Sequence, residues 1–254
     1  MTTNEKILIE YLDDYGLDIF SFQQIRKSEI LPEKYLEIAL RGLYKKDIIR
    51  HVEKGVYCRH NLPEEFVIGN FFVKEGGIAY WSAMNYHGLT EQIPNVVFVQ
   101  TNQRKKDKII LGVKYKFIKV KNEKIIGYKT KGYGGHKFNI TDVEKTIVDC
   151  FDLPQHAGGY PEIIKAFNRA KLSARKMVKY CKAINNISIV KRFGYLTEFL
   201  NKANMDYFIK YAQSVINEKY SPFESGGEKK GSTNRKWRLI INMSSSEILE
   251  IAES

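Results

Sequence analysis

The sequence predicts an α+β protein in which a short N-terminal part precedes a larger mixed part. Three short amphipathic segments and a hairpin pattern occupy residues 1–60. Residues 95–141 are rich in β-branched and aromatic side chains, and residues 142–217 have mainly helical periodicity. We therefore place two domains at 1–60 and 64–254, joined by a linker at Asn61-Leu62-Pro63.

The N-terminal part contains three predicted helix starts. Thr2 and Glu5 have the spacing of a capping box, and Ser21 opens a second, shorter helix in the same way. Pro32 suits the first turn of a third helix, because the amide hydrogen it lacks would have no helical partner there. The third helix then carries one apolar stripe, formed by Leu36, Ala39, Leu40 and Leu43.

A β-hairpin is predicted after the third helix. Residues 47–52 and 56–59 flank the turn Glu53-Lys54-Gly55, where glycine allows a positive φ. Helix, helix, turn, helix and hairpin are the order of a winged helix-turn-helix, whose third helix enters the major groove of DNA while the hairpin contacts the backbone. A winged-helix module that contacts only other proteins is the alternative.

The larger part is predicted to contain a short antiparallel sheet followed by helices. The sheet strands are predicted at Val96–Thr101, Val113–Val120, Ile125–Lys129 and Lys137–Ile140. Gly76-Gly77 is interpreted as a break between two helices that precede the sheet. A last strand is expected within Lys236–Met243, followed by a tail to residue 254.

Positive charge is concentrated in the larger part. Residues 1–60 contain 10 Lys+Arg and 10 Asp+Glu, so all of the net charge of +12 lies beyond residue 60. Residues 104–137 alone contain 12 Lys+Arg against 2 acidic residues. Alternation along Val113–Phe117 places aromatic side chains on one sheet face and lysines on the other. This pattern favours nucleic-acid contact over a merely solvated face, which remains the alternative.

Nine residues are candidates for DNA contact. Arg41 and Lys45 are four residues apart on one helix face and suit phosphate contact, whereas residues near the helix start are better placed to reach base edges. A solvated charged face is the alternative for each of them. The candidates are Lys34, Tyr35, Arg41 and Lys45 of the third helix, Lys54 and Arg59 of the hairpin, and Lys114, Lys116 and Lys119 of the basic stretch.

Enzyme signatures are scarce, and we expect no catalytic residues, no metal site and no cofactor. Cys58, Cys150 and Cys181 are far apart and form no Cys-x-x-Cys pair, and His87 and His156 have no partner at metal-ligand spacing. The N-terminus lacks the apolar segment of a signal peptide, and no apolar run is long enough to span a membrane. We expect a cytoplasmic protein with no membrane partner.

Four segments in this order resemble one known family, the AbiEi antitoxins of type IV toxin–antitoxin systems, which act in abortive infection as a phage defence. Tyr80–Pro94 is similar to the motif that follows the linker in that family. Ile140–Asp149 resembles its D-x-E-K-T-[IL]-x-D element. Gly158-Gly159 before a helix and Lys191–Leu196 complete the pattern, which together with the predicted N-terminal domain covers nearly the whole chain.

The resemblance implies a function. Members of the family repress their own operon by binding repeats at the promoter, so double-stranded DNA with inverted repeats is the expected partner. They also counteract a toxin, AbiEii, which resembles nucleotidyltransferases. The antitoxin itself is not known for catalysis. The shared motifs are interpreted as structural, with Trp81, Tyr86 and Phe193 packing and Lys145 and Arg192 pairing with carboxylates.

Two other functions are weighed against the antitoxin hypothesis. A toxin-like nucleotidyltransferase needs a Gly-Ser followed by a strand with two acidic residues for metal ions, and nothing of that kind follows Gly231-Ser232. A winged-helix interaction module, or a general DNA-binding regulator without an antitoxin role, is the other alternative. A pure interaction module leaves the basic stretch at 104–137 without a purpose.

Overall fold

The computed structural model describes residues 1–60, 64–228 and 230–254. The expected linker Asn61-Leu62-Pro63 lies outside the described residues. Within these ranges the chain forms eleven α-helices and three β-sheets, which confirms the α+β class. None of the helices in these ranges has both the length and the apolar character needed to cross a membrane.

The N-terminal part contains the three expected helices, the expected hairpin and one strand that the sequence did not predict. Its elements are α1 Thr3–Asp14, β1 Ile19–Ser21, α2 Phe22–Lys27, α3 Glu33–Lys45, β2 Ile49–Glu53 and β3 Val56–Arg59. The unpredicted strand β1 pairs antiparallel with β3, so that the sheet order is β1-β3-β2. Ser21 ends this strand and caps α2, because its Oγ accepts a hydrogen bond from the Gln24 amide at 3.1 Å.

A buried carboxylate fixes α3 against α1. Glu5 Oε2 accepts a hydrogen bond from the Thr2 amide at 2.7 Å, and it pairs with Lys46 Nζ at 2.5 Å. A Cβ at Gly42 of α3 would lie 2.1 Å from Glu5 Oε1, so a larger residue there would displace the Glu5 carboxylate from this position. The hydrogen bond from Lys46 and that from the Thr2 amide lower the pKa of Glu5.

We predict that Glu5→Gln destabilises the protein in a pH-dependent way. Glutamine keeps the helix-capping geometry but loses the charge that pairs with Lys46, so the free energy of unfolding at pH 7 falls by about 1 kcal/mol. Because the pKa of Glu5 is lowered by folding, its contribution is present above about pH 4.3 and is lost as the pH falls through the folded value.

Denaturant unfolding at pH 7 and pH 3 measures this difference. Glu10→Gln is the matched control, since Glu10 is an exposed residue of the same helix. The explanation is wrong if the gap between wild type and Glu5→Gln is the same at both pH values.

The larger part is built on a six-stranded mixed sheet. Its first elements are α4 Glu65–Phe71, β4 Gly76–Ile78, α5 Tyr80–Tyr86, β5 Val96–Thr101, β6 Lys108–Ile110, β7 Val113–Lys119, β8 Tyr128–Lys131 and β9 Phe138–Thr141. The strand order is β6-β7-β5-β4-β9-β8. The pairs β5–β7 and β4–β9 are parallel, so the expected antiparallel sheet is wrong. The chain forms β6 at the sheet edge and returns as β7 alongside β5, which makes that pair parallel.

Gly76-Gly77 separates α4 from α5, as expected, and it also forms part of the central strand β4, which the sequence did not predict. A Cβ at Gly76 would lie 1.9 Å from the Gln100 carbonyl oxygen, and one at Gly77 would lie 2.2 Å from the Asn139 carbonyl oxygen. Both neighbouring strands therefore approach so closely that no side chain fits.

The remainder is mainly helical, as expected. It contains α6 Val143–Asp152, α7 Tyr160–Arg169, α8 Ala174–Ile184, α9 Ile187–Phe199, α10 Asp206–Val215, β10 Ser221–Pro222, β11 Ser232–Asn234, β12 Leu239–Ile241 and α11 Ser245–Glu253. Phe167 and Phe193 stack at 5.6 Å between ring centroids in the centre of this core. The expected C-terminal tail is a helix, because Ser244 caps it and Ile248 and Ala252 are buried.

The N-terminal part packs against one face of the six-stranded sheet. One apolar cluster contains Ile19, Val56 and Cys58 from the N-terminal part together with residues of α4, β5, β7 and β9. Two polar contacts also join the two parts: Glu53 forms an ion pair with Lys108, and Asp18 Oδ2 lies 3.3 Å from His136 Nε2. The two parts of the chain therefore share a buried surface.

We predict that Gly135→Ala weakens this junction. Its Cβ would lie 2.1 Å from the backbone oxygen of Gly16, so the free energy of unfolding falls by about 1–3 kcal/mol through overpacking. Labelling of the Cys58 thiol, which is buried in the shared cluster, should accelerate in the native protein. Gly226→Ala is the control, because a Cβ there meets no atom within 4 Å. Equal stability and equal labelling of the two variants would contradict the prediction.

Candidate nucleic-acid interface

A concave groove of about 740 Å³ lies between α3 and the β2–β3 hairpin. We call it the α3–hairpin groove. Its walls come from three elements that are separate in sequence. The lining residues are Ser21, Phe22 and Gln23 at the start of α2, Glu37, Leu40, Arg41 and Tyr44 of α3, and His51, Lys54, Gly55, Val56 and Tyr57 of the hairpin.

Helical periodicity places the α3 side chains in the groove. The stripe from Leu36 to Leu43 is buried in the N-terminal core, which turns the opposite side of α3 outward. Glu37, Arg41 and Tyr44 follow one another at spacings of four and three residues and share this outward side. The orientation of the groove wall is thus set by the burial of the other side of the helix.

The hairpin curls toward α3. Its register shifts between His51 and Glu53, and Gly55 has φ +73°, a left-handed conformation that glycine adopts without strain. The exposed Lys54 stands at this turn. The bulge and the turn together bring the hairpin tip to the mouth of the groove.

Aromatic rings connect the helix to the hairpin. The rings of Tyr44 and His51 meet edge to face at 4.7 Å, and His51 lies 4.6 Å from the ring of Tyr57. Tyr57 in turn stacks on the buried Phe20 at 5.9 Å. Burial, and then the nearby charge of Glu37, raise the pKa of Tyr57. These contacts hold the two walls at a fixed separation.

The structure brings two of the predicted DNA-contacting residues together in the groove and separates a third from them. Arg41 and Lys54 both line it, from opposite walls, and both are exposed. Arg59 lies at the other end of the hairpin, where it pairs with Asp13 and lines a separate cavity with Asp18 and His60. Lys34, Tyr35 and Lys45 are exposed on α3 but do not line the groove.

The three predicted lysines of β7 do not share one face. Successive side chains of a strand point to opposite sides, so Lys114 and Lys116 lie with Ile118 on the face that joins the helical core. Lys119 lies with Tyr115 and Phe117 on the face that packs against α4 and the N-terminal part. The alternation expected along Val113–Phe117 is thus observed, and Lys119 lies on the other face because the spacing from 116 to 119 is odd.

The rest of the basic stretch is spread over the sheet. Strands β7 and β8, which carry five of its eleven lysines, are separated by β5, β4 and β9. Lys108 pairs with Glu53, and Lys124 pairs with Asp152 at 2.5 Å. The charge of residues 104–137 is thus divided among separate strands, their connecting segments and two ion pairs.

Residues that carry the family resemblance form a buried polar network on α6. Lys145 Nζ donates to both carboxylate oxygens of Asp149 at 2.5 Å, which confirms the expected pair. Burial raises the pKa of Asp149, and the charge of Lys145 opposes this shift. Asp142 accepts hydrogen bonds from the Lys145 amide at 3.0 Å and from the Tyr180 hydroxyl at 2.7 Å. These groups satisfy one another inside the core, which is a structural role.

The prediction that Arg192 pairs with a carboxylate is wrong. Its Nε donates to the Phe223 carbonyl at 2.8 Å, and its Nη2 donates to the Pro222 carbonyl at 3.1 Å. Arg192 therefore anchors the segment around β10 through backbone oxygens. Burial lowers the pKa of Arg192.

Within residues 1–60, 64–228 and 230–254, no set of three or more His, Cys, Asp or Glu side chains is arranged to hold a metal ion. All three cysteines are buried and free, and burial raises the pKa of their thiols. The α3–hairpin groove is thus the site whose geometry fits the sequence-based candidates best.

Comparison with known proteins gives the fold. No protein-family model matches the sequence, and no curated protein matches it. The crystal structure of the RV2827C protein from Mycobacterium tuberculosis is similar, with a TM-score of 0.61 and 10% sequence identity. The similarity covers 100% of this chain and 96% of that one. The two proteins therefore share an overall fold along their whole lengths.

Proposed function

We propose that this protein is a DNA-binding autorepressor whose N-terminal part is a winged helix-turn-helix. The observation that carries the proposal is the α3–hairpin groove, with Arg41 on the helix wall and Lys54 at the hairpin tip. In winged-helix proteins the third helix enters the major groove of DNA and the hairpin contacts the backbone. Cations on opposite walls of a groove suit contact with DNA, whose grooves are bordered by phosphate strands.

The sheet of the larger part extends this interface. Lys108 of β6 pairs with Glu53 beside the hairpin tip and lies opposite Tyr115 of β7 in the strand register. Lys114 and Lys116 flank Tyr115 in the strand, so they lie near the same end of the sheet but on its opposite face, whereas Lys119 shares the face of Tyr115 and is about 13 Å further along the strand. Position along the strand therefore favours Lys114 and Lys116 for added phosphate contacts, which DNA would make where it passes the edge of the sheet.

The second half of the proposal is that the protein acts as an antitoxin against a nucleotidyltransferase-like toxin of the AbiEii type. This half rests on the resemblance of four ordered segments to AbiEi antitoxins. Within two of these segments, Lys145 and Arg192 hold the core together instead of lining the groove. We therefore place antitoxicity on a surface of the larger part, away from the groove.

A specific observation favours a second candidate, a winged-helix module that binds another protein. The outward side of α3 carries three large side chains, Tyr35, Ile38 and Tyr44, which are 50%, 52% and 49% exposed. Exposed apolar groups of this size suit contact with another protein, and they equally suit contact with the methyl group of thymine in DNA. A measurement of DNA binding distinguishes the repressor from the protein-binding module.

We predict that reversing Arg41 and Lys45 to glutamate abolishes specific DNA binding. Both side chains are exposed and lie off the buried stripe of α3, so the fold is kept. Affinity for the protein's own upstream DNA should fall by about two orders of magnitude or more, because two positive charges that face the DNA become negative and are repelled by its phosphates. Gel shifts with that DNA measure the loss, and growth of cells that express the toxin should still be rescued.

Two outcomes bear on the separate halves of the proposal. Lys171→Glu with Lys210→Glu is the matched control, because it changes the net charge equally at exposed positions away from the groove. Gel shifts unchanged in the Arg41 and Lys45 variant would move the DNA interface elsewhere. Loss of rescue in a variant that remains folded would bring the groove into the antitoxin function.

We also predict a difference between the two lysine faces of β7. Replacing Lys114 and Lys116 with glutamine should reduce the slope of log affinity against log salt by about two, at roughly 0.9 per phosphate contact. Lys119→Gln should leave the slope unchanged, since this residue is about 13 Å further along the strand from the position that pairs with Lys108 beside the hairpin tip. DNA-binding titrations at salt concentrations between about 50 and 200 mM resolve this difference in slope. Equal slopes for the two variants would remove the sheet from the interface.

A further inference from the structure

Glu37 is the one acidic side chain among the described residues that line the α3–hairpin groove. It is exposed and precedes Arg41 by one helical turn on the same wall. Its charge reaches the Tyr57 phenol on the hairpin wall, whose pKa it helps to raise. The carboxylate therefore lines the helix wall of the groove, within electrostatic reach of the hairpin wall.

A carboxylate in this position opposes the proposed contact with phosphates. Glu37 would repel the DNA backbone, and a groove built only for phosphate would contain cations instead. The other acidic residue of the same helix, Glu33, lies outside the groove and pairs with Arg26 at 3.5 Å. In the described part of the chain, neither Glu37 nor Arg41 forms an ion pair. Their hydrogen-bonding capacity is thus available to a ligand.

The chemistry of the pair matches the base edges in a major groove. A carboxylate accepts a hydrogen bond from the N4 amino group of cytosine, and a guanidinium donates two hydrogen bonds to O6 and N7 of guanine. Residues four apart are about 6 Å apart along the helix axis, and base pairs are spaced by about 3.4 Å. The two side chains can therefore reach base pairs one or two steps apart.

We propose that Glu37 determines sequence specificity by accepting a hydrogen bond from cytosine, while Arg41 contacts guanine at a nearby base pair. This inference rests on the proposed DNA-binding function and adds to it a base preference. Buried Leu36 and Leu40 on either side fix the rotation of α3, so that Glu37 is presented to the DNA in one orientation. Glu37 is a specificity-determining residue, whose repulsion of phosphate disfavours other registers on DNA.

The test is a binding selection from duplex DNA with random sequence, using the full-length chain. Wild type, Glu37→Gln and Glu33→Gln are compared, since both variants remove one negative charge from the exposed side of α3. Wild type should enrich a cytosine at one position, and Glu37→Gln should lose that preference by about tenfold or more at this position only. A shift toward adenine there also supports the proposal, because glutamine pairs with adenine. The Glu33→Gln variant should enrich the same DNA sequence as wild type.

Two results overturn the proposal, and they differ from each other. If wild type enriches a sequence and Glu37→Gln enriches the same one, at equal or higher affinity, then Glu37 acts only by repulsion or not at all. The DNA-binding function survives that result. If wild type enriches no sequence, the base preference and sequence-specific DNA binding fail together. Circular dichroism and the unfolding midpoint of each variant show that it is folded during the selection.

Discussion

The apolar cluster shared by the N-terminal strands and the six-stranded sheet determines how the rest of the molecule is arranged. Ile19, Val56 and Cys58 are buried against the sheet face that carries Tyr115 and Phe117. Each fully buried aliphatic or aromatic side chain of this kind contributes about 1.5–3 kcal/mol, so such a cluster resists separation of the two parts. The hairpin is built on the same strands, and its position relative to the basic sheet therefore follows from this packing. The α3–hairpin groove lies beside the basic sheet only because the junction is closed.

Local patterns were sufficient to predict the groove walls. The apolar stripe of α3 and the turn at Glu53-Lys54-Gly55 depend on neighbours in sequence, and Arg41 and Lys54 lie where those patterns place them. The aromatic contact between His51 and Tyr57 was not predicted, because the pattern of charged residues carries no information about ring packing. Their signal was nonetheless present, since the two residues are direct partners in the hairpin register.

Features that depend on distant residues were not predictable from local sequence. Strands β1, β4 and β6 have three residues each, too few for an alternating pattern, and they exist because a partner strand lies beside them. The parallel pairing of β4 with β9 joins residues 78 and 140. The predicted strand Ile125–Lys129 is observed at Tyr128–Lys131, displaced by a turn at Asn122–Lys124. The position of Arg59 beside Asp13 likewise depends on a contact across 46 residues.

The glycine strand at the centre of the sheet has a consequence for synthesis of the chain. Because β4 pairs with β9, the sheet cannot close until residue 141 has left the ribosome, although the N-terminal helices and hairpin are complete by residue 59. During that interval Ile19 and Val56 have no sheet to cover them. Closure of so long a loop is slow compared with helix formation. The newly made protein therefore passes through a stage in which the α3–hairpin groove is formed but the six-stranded sheet that the N-terminal part packs against is not. Apolar groups exposed at such a stage are the groups on which chaperones act.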